Sequence, residues 1–195
     1  MDRRALLMVG TGLAVSVLTG YTPAIMATDR RKGPAGFLLA DMEPDGLTKT
    51  YRKYRLLIIG QRDDSKATAI AQSVVDVLAR FLPTSRSKLI RAGDTRRIGV
   101  LIGTHQQDIG IMTRESAEAL FLAKAPFTDI RNVPLRSIVS FGSHVLVCRT
   151  DFVARHSYLV AQTLVEHQDL LPTPADAPSG VVPVHPGSQA YFAPT

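Results

Sequence analysis

Residues 95–121 constrain the fold more than any other part of the sequence, because three short patterned segments follow one another there. Residues 95–104 form an apolar segment that either Asp94 or Thr95 can cap as a helix. Residues 107–113 form an apolar run between polar residues, which is typical of a buried strand. Arg114–Phe121 then carries apolar residues at helical spacing. Helix, strand and helix together predict half of a doubly wound α/β layer, where ligands bind at the carboxyl ends of strands.

The segments before residue 95 continue the same alternation of strands and helices. Residues 56–60 form an apolar run that predicts a strand. Residues 65–82 show an amphipathic helical pattern, for which either Asp64 or Ser65 can serve as the cap. A brief apolar run at residues 88–91 predicts another strand before the central stretch.

This order predicts an α/β fold with a parallel-rich sheet that is flanked by helices on both faces. We expect the strands at residues 56–59, 88–91 and 108–112 to lie side by side and to run in the same direction. Ser65 and Thr113 follow the ends of two of these strands and should therefore share one rim of the sheet.

The pattern changes after residue 124. Residues 125–135 contain two prolines and predict a connection. Residues 136–149 form a long strand run that breaks at Gly142-Ser143, so it is either one bent or bulged strand or two strands. Residues 152–171 predict an amphipathic helix, and we expect Thr150-Asp151 to cap it.

The sequence divides into four predicted parts. Residues 1–28 are interpreted as an export signal and residues 29–50 as a linker rich in glycine, proline and charge. Residues 51–171 make up the α/β domain, and residues 172–195 form a C-terminal tail that we expect to pack on that domain.

The leader has a basic start at Arg3 and Arg4, a short apolar core and then small or helix-breaking residues. The paired arginines resemble the twin-arginine export motif, and a general secretory signal is the alternative. Cleavage after Ala24 or Ala27 and retention as an uncleaved anchor all remain open. Each of these alternatives predicts a periplasmic location.

The bulk composition argues against several classes of function. The chain of 195 residues has a net charge of +6, but its basic clusters are short, only the cluster at residues 52–55 has aromatic neighbours, Tyr51 and Tyr54, and the chain has no tryptophan. We therefore expect no nucleic-acid partner. Cys148 is the one cysteine, so no intrachain disulfide can form, and we interpret it as a small buried apolar residue.

Three stretches taken together resemble one family of receptors. The first is residues 57–60 running into the helix from residue 65, and the second is residues 98–113 with Asp-Ile-Gly-Ile near its end. The third joins residues 145–152 to a tail at residues 182–191 that reads Pro-x-His-Pro-Gly followed by a tyrosine. These stretches are similar to the TAXI family of solute receptors for tripartite (TRAP) transporters, within the type 2 periplasmic binding proteins.

The resemblance implies an exported protein that binds a small solute non-covalently and works with a TRAP-type transporter. It also implies a type 2 periplasmic-binding-protein-like lobe. Such receptors have two lobes and are longer than this chain, so most of the second lobe is missing here. The alternative is therefore a degenerate binding-protein fold that acts as an accessory or assembly partner of a periplasmic protein complex.

Polar residues on the presumed ligand rim are the candidate binding residues. They follow the predicted strands or mark the break in the long strand run, and their backbone and side-chain donors suit a small anionic or polar solute: Gln61, Ser65, Lys66, Thr68, Thr104, Thr113 and Ser143. Helix capping and a plain strand bulge are the structural alternatives for these positions.

Catalytic chemistry is not indicated by the sequence. The five histidines have no metal-ligand spacing, and no Gly-x-Ser-x-Gly turn is present. A lone Gly60 after the first strand is no dinucleotide fingerprint. We therefore expect no enzyme activity, no metal and no cofactor.

Overall fold

The structure is a computed structural model that describes residues 55–130 and 133–193. The predicted export signal at 1–28, the linker at 29–50 and the first residues of the predicted domain lie outside these ranges. Across the two described ranges, no helix combines the length and apolarity that a membrane crossing requires.

Three strand–helix pairs form the first half of the fold. They are β1 (Leu57–Gln61) and α1 (Ser65–Phe81), β2 (Lys88–Ala92) and α2 (Thr95–Gly103), and β3 (Ile109–Thr113) and α3 (Arg114–Phe121). A short 3-10 turn at Pro83–Ser85 leads from α1 toward β2. In the centre of the sheet, Ile58 of β1 is the parallel partner of both Leu89 and Ile109. The expected parallel arrangement of these three strands is confirmed.

Each of these three helices begins at a side-chain cap. Asp64 accepts from the backbone N–H of Ala67 at 2.9 Å, and Asp94 accepts from the N–H of Arg97 at 2.6 Å. Thr113 Oγ1 accepts from the N–H of Ser116 at 3.2 Å. The caps satisfy donors that the first turn of a helix cannot satisfy itself. Of the alternatives open for α1 and α2, the aspartates are the caps.

A tight hairpin forms the second half of the sheet. β4 (Leu135–Phe141) and β5 (His144–Arg149) are joined by Gly142 and Ser143 alone, so the long run is two strands. Gly142 has φ of +61°, which a glycine adopts without the steric cost that other residues pay. β5 pairs antiparallel with both β3 and β4, giving the strand order β2-β1-β3-β5-β4. The predicted parallel-rich sheet is therefore mixed, with parallel pairing confined to β1, β2 and β3.

Apolar side chains fill both faces of the sheet. One face packs Ile58, Ile111 and Leu146 against α1 and a later helix, α4 (Ala154–Glu166). The other face packs apolar residues of β1, β3 and β5 against α2, α3 and Phe127. The expected helices on both faces are therefore present.

Helix α4 begins later and ends earlier than the sequence pattern predicts. It starts at Ala154 after Val153, without a side-chain cap, and a 3-10 turn at Gln168–Leu170 follows its end. The predicted cap at Thr150-Asp151 is wrong, because Arg149 Nε donates to Asp151 at 3.1 Å and His105 lies 3.0 Å from the same carboxylate. These partners hold Asp151 away from the helix start.

The segment after α4 returns to the sheet and then forms α5 (Pro186–Phe192). Asp176 bridges to Ser140, and Val184 bridges to Ser137, so the segment runs beside β4. Helix α5 then packs against α4.

Three residues of the Pro-x-His-Pro-Gly stretch hold α5 in place. His185 caps α5, and its Nε2 donates to the carbonyl of Phe152 at 2.9 Å. The pKa of His185 is lowered, because the effect of burial outweighs that of the hydrogen bond, which alone would raise it. Ser188 donates to the carbonyl of Ile138 in β4. At Gly187, an added Cβ would lie 1.9 Å from the carbonyl oxygen of Ala154, so α5 meets the first turn of α4 at backbone distance.

We predict that Gly187→Ala destabilises the protein by about 2 kcal/mol or more, because the new methyl group meets fixed backbone rather than a movable side chain. Gly93→Ala is the matched control, since nothing lies within 4 Å of a Cβ at that position. Urea unfolding of the two variants measures the difference. Equal stability of both variants would contradict the close packing of α5 on α4.

Candidate functional site

The carboxyl ends of β1, β3 and β4 lie at one edge of the sheet, which we call the strand rim. His144 at the start of β5 is opposite both Thr113 at the end of β3 and Phe141 at the end of β4. Helices α1 and α3 begin directly after β1 and β3. Ser65 and Thr113 are therefore on the same rim, as the alternation of strands and helices predicts.

Asp64, His144 and Ser143 form a hydrogen-bonded chain at the rim. His144 Nε2 lies 2.9 Å from Asp64 Oδ2, and Nδ1 lies 3.1 Å from Ser143 Oγ. With a proton on Nε2 the ring donates to the carboxylate, and Nδ1 pairs with the Ser143 hydroxyl. The His144 side chain is only 4% exposed. The chain therefore fastens the β4–β5 turn to the start of α1.

The pKa of Asp64 is lowered in this setting. Burial alone would raise this pKa, but hydrogen bonds from the backbone N–H of Ala67 and from His144 outweigh it, and the charge of His144 adds to their effect. The carboxylate therefore supplies a fixed negative charge at the N-terminus of α1, where the helix dipole favours an anion.

A second set of contacts ties α3 to the same turn. Arg114 donates from its backbone N–H to the carbonyl of Ser143 at 2.8 Å and from Nη2 to the carbonyl of Gly142 at 2.9 Å. Thr113 Oγ1 lies 2.8 Å from Ser116 Oγ. The backbone N–H groups of Arg114 and Ser116 and the Nη2 of Arg114 are thus engaged by the protein itself, whereas Arg114 Nε is buried with no hydrogen-bond partner among the described residues.

The structure separates the predicted site residues into three groups. Thr113 and Ser143 at the rim bond within the protein, and Thr68 in the first turn of α1 donates to the carbonyl of Gln61. Ser65 and Lys66 are exposed at the start of α1. The residues that lie around the rim are therefore Gln61, Ser65, Lys66, Thr68, Thr113 and Ser143. The side chains of Ser65 and Lys66 are exposed there and have no partner among the residues described.

Thr104 is not on the rim, contrary to the sequence-based expectation. It ends α2, which starts beside the carboxyl end of β2 and returns to the opposite edge before β3 begins. Its hydroxyl donates to the carbonyl of Val100 at 2.8 Å, and the residue is 1% exposed. A helix that connects two parallel strands must cross the sheet, and this carries Thr104 to the far edge.

The Asp64–His144–Ser143 chain has the connectivity of a relay that activates a hydroxyl. Its carboxylate and its hydroxyl lie at Nε2 and Nδ1 of a buried ring, and the hydroxyl belongs to a two-residue turn held by Arg114. We assign it a structural role on these contacts. Within residues 55–130 and 133–193, no group of three His, Cys, Asp or Glu side chains is placed to hold a metal ion.

A cleft of about 910 Å³ lies at the opposite edge, where β1 and β3 begin. Its wall comes from four separate connections: the entry to β1, the turn after α1, the segment after α2 and the start of α4. We call it the edge cleft. None of the seven predicted binding residues lines it.

No family model matches this chain. No curated protein matches it either. The resemblance to the TAXI receptors therefore stays a proposal that depends on the residues themselves.

Sequence reasoning placed His144 at the strand break but missed its pairing with Asp64, and it missed the edge cleft. Asp64 and His144 are 80 residues apart, so their pairing depends on the strand order β1-β3-β5. The break at Gly142-Ser143 was the available indication, because a tight turn places the next residue at a strand end. The edge cleft has no local pattern, since its four connections meet only after folding.

We predict that the negative charge of Asp64 stabilises the fold above about pH 4. The pKa of Asp64 is lower in the folded state, so this stabilisation is lost as the pH falls through the folded value. Asp64→Asn keeps a capping side chain but removes the charge, and should cost about 1 kcal/mol at pH 7. The cost should shrink on acidification to pH 2, as measured by urea unfolding at several pH values.

The exposed neighbour Asp63 supplies the control. Asp63→Asn removes the same charge one residue earlier and should leave the free energy of unfolding nearly unchanged at pH 7. A cost for Asp64→Asn that stays constant with pH would contradict the charged contact with His144 and the helix start.

Proposed function

We propose that this chain is an exported, non-catalytic relative of the TAXI receptors that has been reduced to one type 2 periplasmic-binding-protein-like lobe. It acts as an accessory partner of a periplasmic protein complex, with a TRAP-type transporter as the first candidate. It does not capture solute at its strand rim. Both the localisation and the transporter partner follow from the resemblance and from the leader.

The position of the β4–β5 turn supports a reduced lobe. A two-lobed receptor needs a place where the chain leaves the first lobe and a place where it returns. β4 runs toward the rim and β5 runs away from it, and the two strands are neighbours in the sheet. Gly142 and Ser143 join the two strands directly, which is the connection that a lobe without such an excursion requires.

The hydrogen bonds at the rim support the proposed accessory role. Asp64, Thr113 and Arg114 bond to the protein's own groups, so the helix starts are already occupied by internal acceptors. Asp64 is negatively charged, which opposes a carboxylate at the start of α1. Without a second lobe, a solute at the rim would also stay open to water. The exposed part of the rim is a polar surface that a protein partner can cover. Its exposed residues are Arg62, Asp63, Ser65 and Lys66.

Solute binding is the second candidate function, and the edge cleft is the observation that favours it. A volume of about 910 Å³ falls within the range of small-molecule sites. This candidate places the solute at the far edge of the sheet from the rim.

We predict that a panel of amino acids and small dicarboxylates leaves Tm unchanged within about 1 °C, since a ligand at a hundred times its Kd would add about 2.7 kcal/mol and raise Tm by several degrees. Differential scanning calorimetry of the exported protein and of Ser65→Trp, which fills the rim, provides the measurement. A Tm rise that Ser65→Trp abolishes would establish a solute receptor at the rim and refute the accessory role.

We predict that purified membrane subunits of a TRAP-type transporter bind the immobilised chain. Replacing a rim cation, as in Arg62→Glu or Lys66→Glu, should weaken that binding about tenfold, since a rim charge pair is lost and a like charge is added. Lys124→Glu makes the same charge change after α3, away from the rim, and should have no effect. Binding that all three variants retain equally would exclude the rim as the contact surface.

A further inference from the structure

The two acidic residues of the edge cleft are held by partners inside the protein. Asp151 accepts from Arg149 Nε at 3.1 Å and lies 3.0 Å from His105 Nε2. Asp108 lies 3.7 Å from the same His105 nitrogen. The guanidinium of Arg149 offsets the negative charge of Asp151 on that side of the cleft.

Two basic residues of the cleft, Arg86 and Arg155, are less engaged. Arg86 and Arg155 both line it, and neither guanidinium forms an ion pair with any residue that the structure describes. His156 lines the same wall, where its ring packs edge-on against Phe152 at a centroid distance of 6.0 Å. The excess of positive charge is complementary to an anion.

The start of α4 adds backbone donors to this wall. Among the α-helices of the described residues, α4 alone has no side-chain cap. The start of this helix lines the cleft through Val153, Arg155 and His156. The cap position is occupied by Val153, whose side chain has no acceptor, and the nearby Asp151 is held by Arg149 and His105. The first-turn N–H groups are therefore left without a side-chain acceptor on the side where Arg155 lies.

Two further polar groups of the wall lack partners. Ser85 Oγ and Gln107 Oε1 are both buried, and neither finds a hydrogen-bond partner in the described part of the chain. Buried polar atoms without partners are uncommon in folded proteins and call for an explanation. The Ser85 hydroxyl can donate to an anionic ligand that reaches the wall, whereas Gln107 Oε1 is itself an acceptor and would need a donor.

The rest of the wall is apolar. Leu56, Leu82, Phe152 and Leu159 are partly buried there, and Val153 is 52% exposed at the mouth. A ligand that touches these side chains gains by removing them from water. The cleft thus joins a positive, donor-rich end to an apolar surface.

We propose that the edge cleft binds an organic anion that has one carboxylate and an apolar body of medium length. The carboxylate lies against the first turn of α4 and Arg155, and the apolar body lies along Leu56, Leu82 and Phe152. This site is separate from the strand rim, so it does not depend on the proposed accessory role. The uncapped helix start, the free guanidinium groups and the apolar wall all occur in one cavity, and this combination selects the ligand class.

Decanoate is the probe, and isothermal titration calorimetry on the exported full chain gives its Kd. We expect one decanoate per chain, with much weaker binding of decan-1-ol, which lacks the charge, and of butanedioate, which lacks the apolar body. Arg155→Gln should weaken decanoate binding about tenfold, because a charge-assisted hydrogen bond is removed. Arg155 is exposed on the helix surface, so this variant should keep its fold.

Val153→Asp separates binding from folding. An aspartate at the cap position should occupy the first-turn N–H groups of α4, raise Tm by about 3 °C and still weaken decanoate binding about tenfold or more. Lys66→Gln removes one positive charge at the opposite edge and should leave decanoate binding unchanged.

Three results would overturn the proposal. The first is that decanoate does not bind measurably to the wild-type chain. The second is that Arg155→Gln and Val153→Asp bind decanoate as tightly as the wild type does. The third is that decan-1-ol binds as tightly as decanoate. Loss of decanoate binding in Lys66→Gln would move the site to the rim and would refute the edge cleft. None of these results bears on transporter binding, which is measured separately through Arg62→Glu and Lys66→Glu.

Discussion

The antiparallel strand β5 is the constraint on which the rest of the fold depends. All six of its residues are buried, and its backbone pairs with β3 on one side and β4 on the other. Val145 and Val147 face the layer of α2 and α3, while Leu146 and Cys148 face the layer of α1 and α4. Because strand side chains alternate, one strand secures both helix layers at once. The same strand begins at His144, so its register also brings the β4–β5 turn against the start of α1.

Local chemistry explains why much of the fold could be predicted from the sequence. Asp64, Asp94 and Thr113 each cap a helix within three residues along the chain, so the helix starts follow from short-range rules. The first three strands were recognisable as apolar runs, and their parallel order followed from the helices between them. The cap of α4 was wrongly predicted because tertiary partners hold Asp151. Thr104 was placed at the wrong edge, although the strand–helix–strand order implies that the helix starts at the rim and ends at the opposite edge.

The two edges of the sheet differ in how their helix starts are used. At the rim, each helix start is capped by a side chain that precedes it in the sequence. The contact between Arg114 and the β4–β5 turn engages a further donor there. At the far edge, α4 begins without such an acceptor beside a basic cleft. The residues with the strongest family resemblance, His185 and Gly187, serve packing between α5 and α4 rather than contact with a solute. A motif that resembles a receptor family can therefore serve the packing of the fold itself.

The burial of Cys148 has a practical consequence for spectroscopy. Its side chain has no exposed surface, and burial raises the pKa of its thiol, so the thiolate that reacts with maleimides and iodoacetamides is scarce in the folded protein. A cysteine introduced at an exposed position, such as Ser65 at the rim or Arg155 at the edge cleft, would then be the site that takes up a fluorophore or spin label. The native chain can serve as its own unlabelled background, and the two edges can be observed separately in one protein.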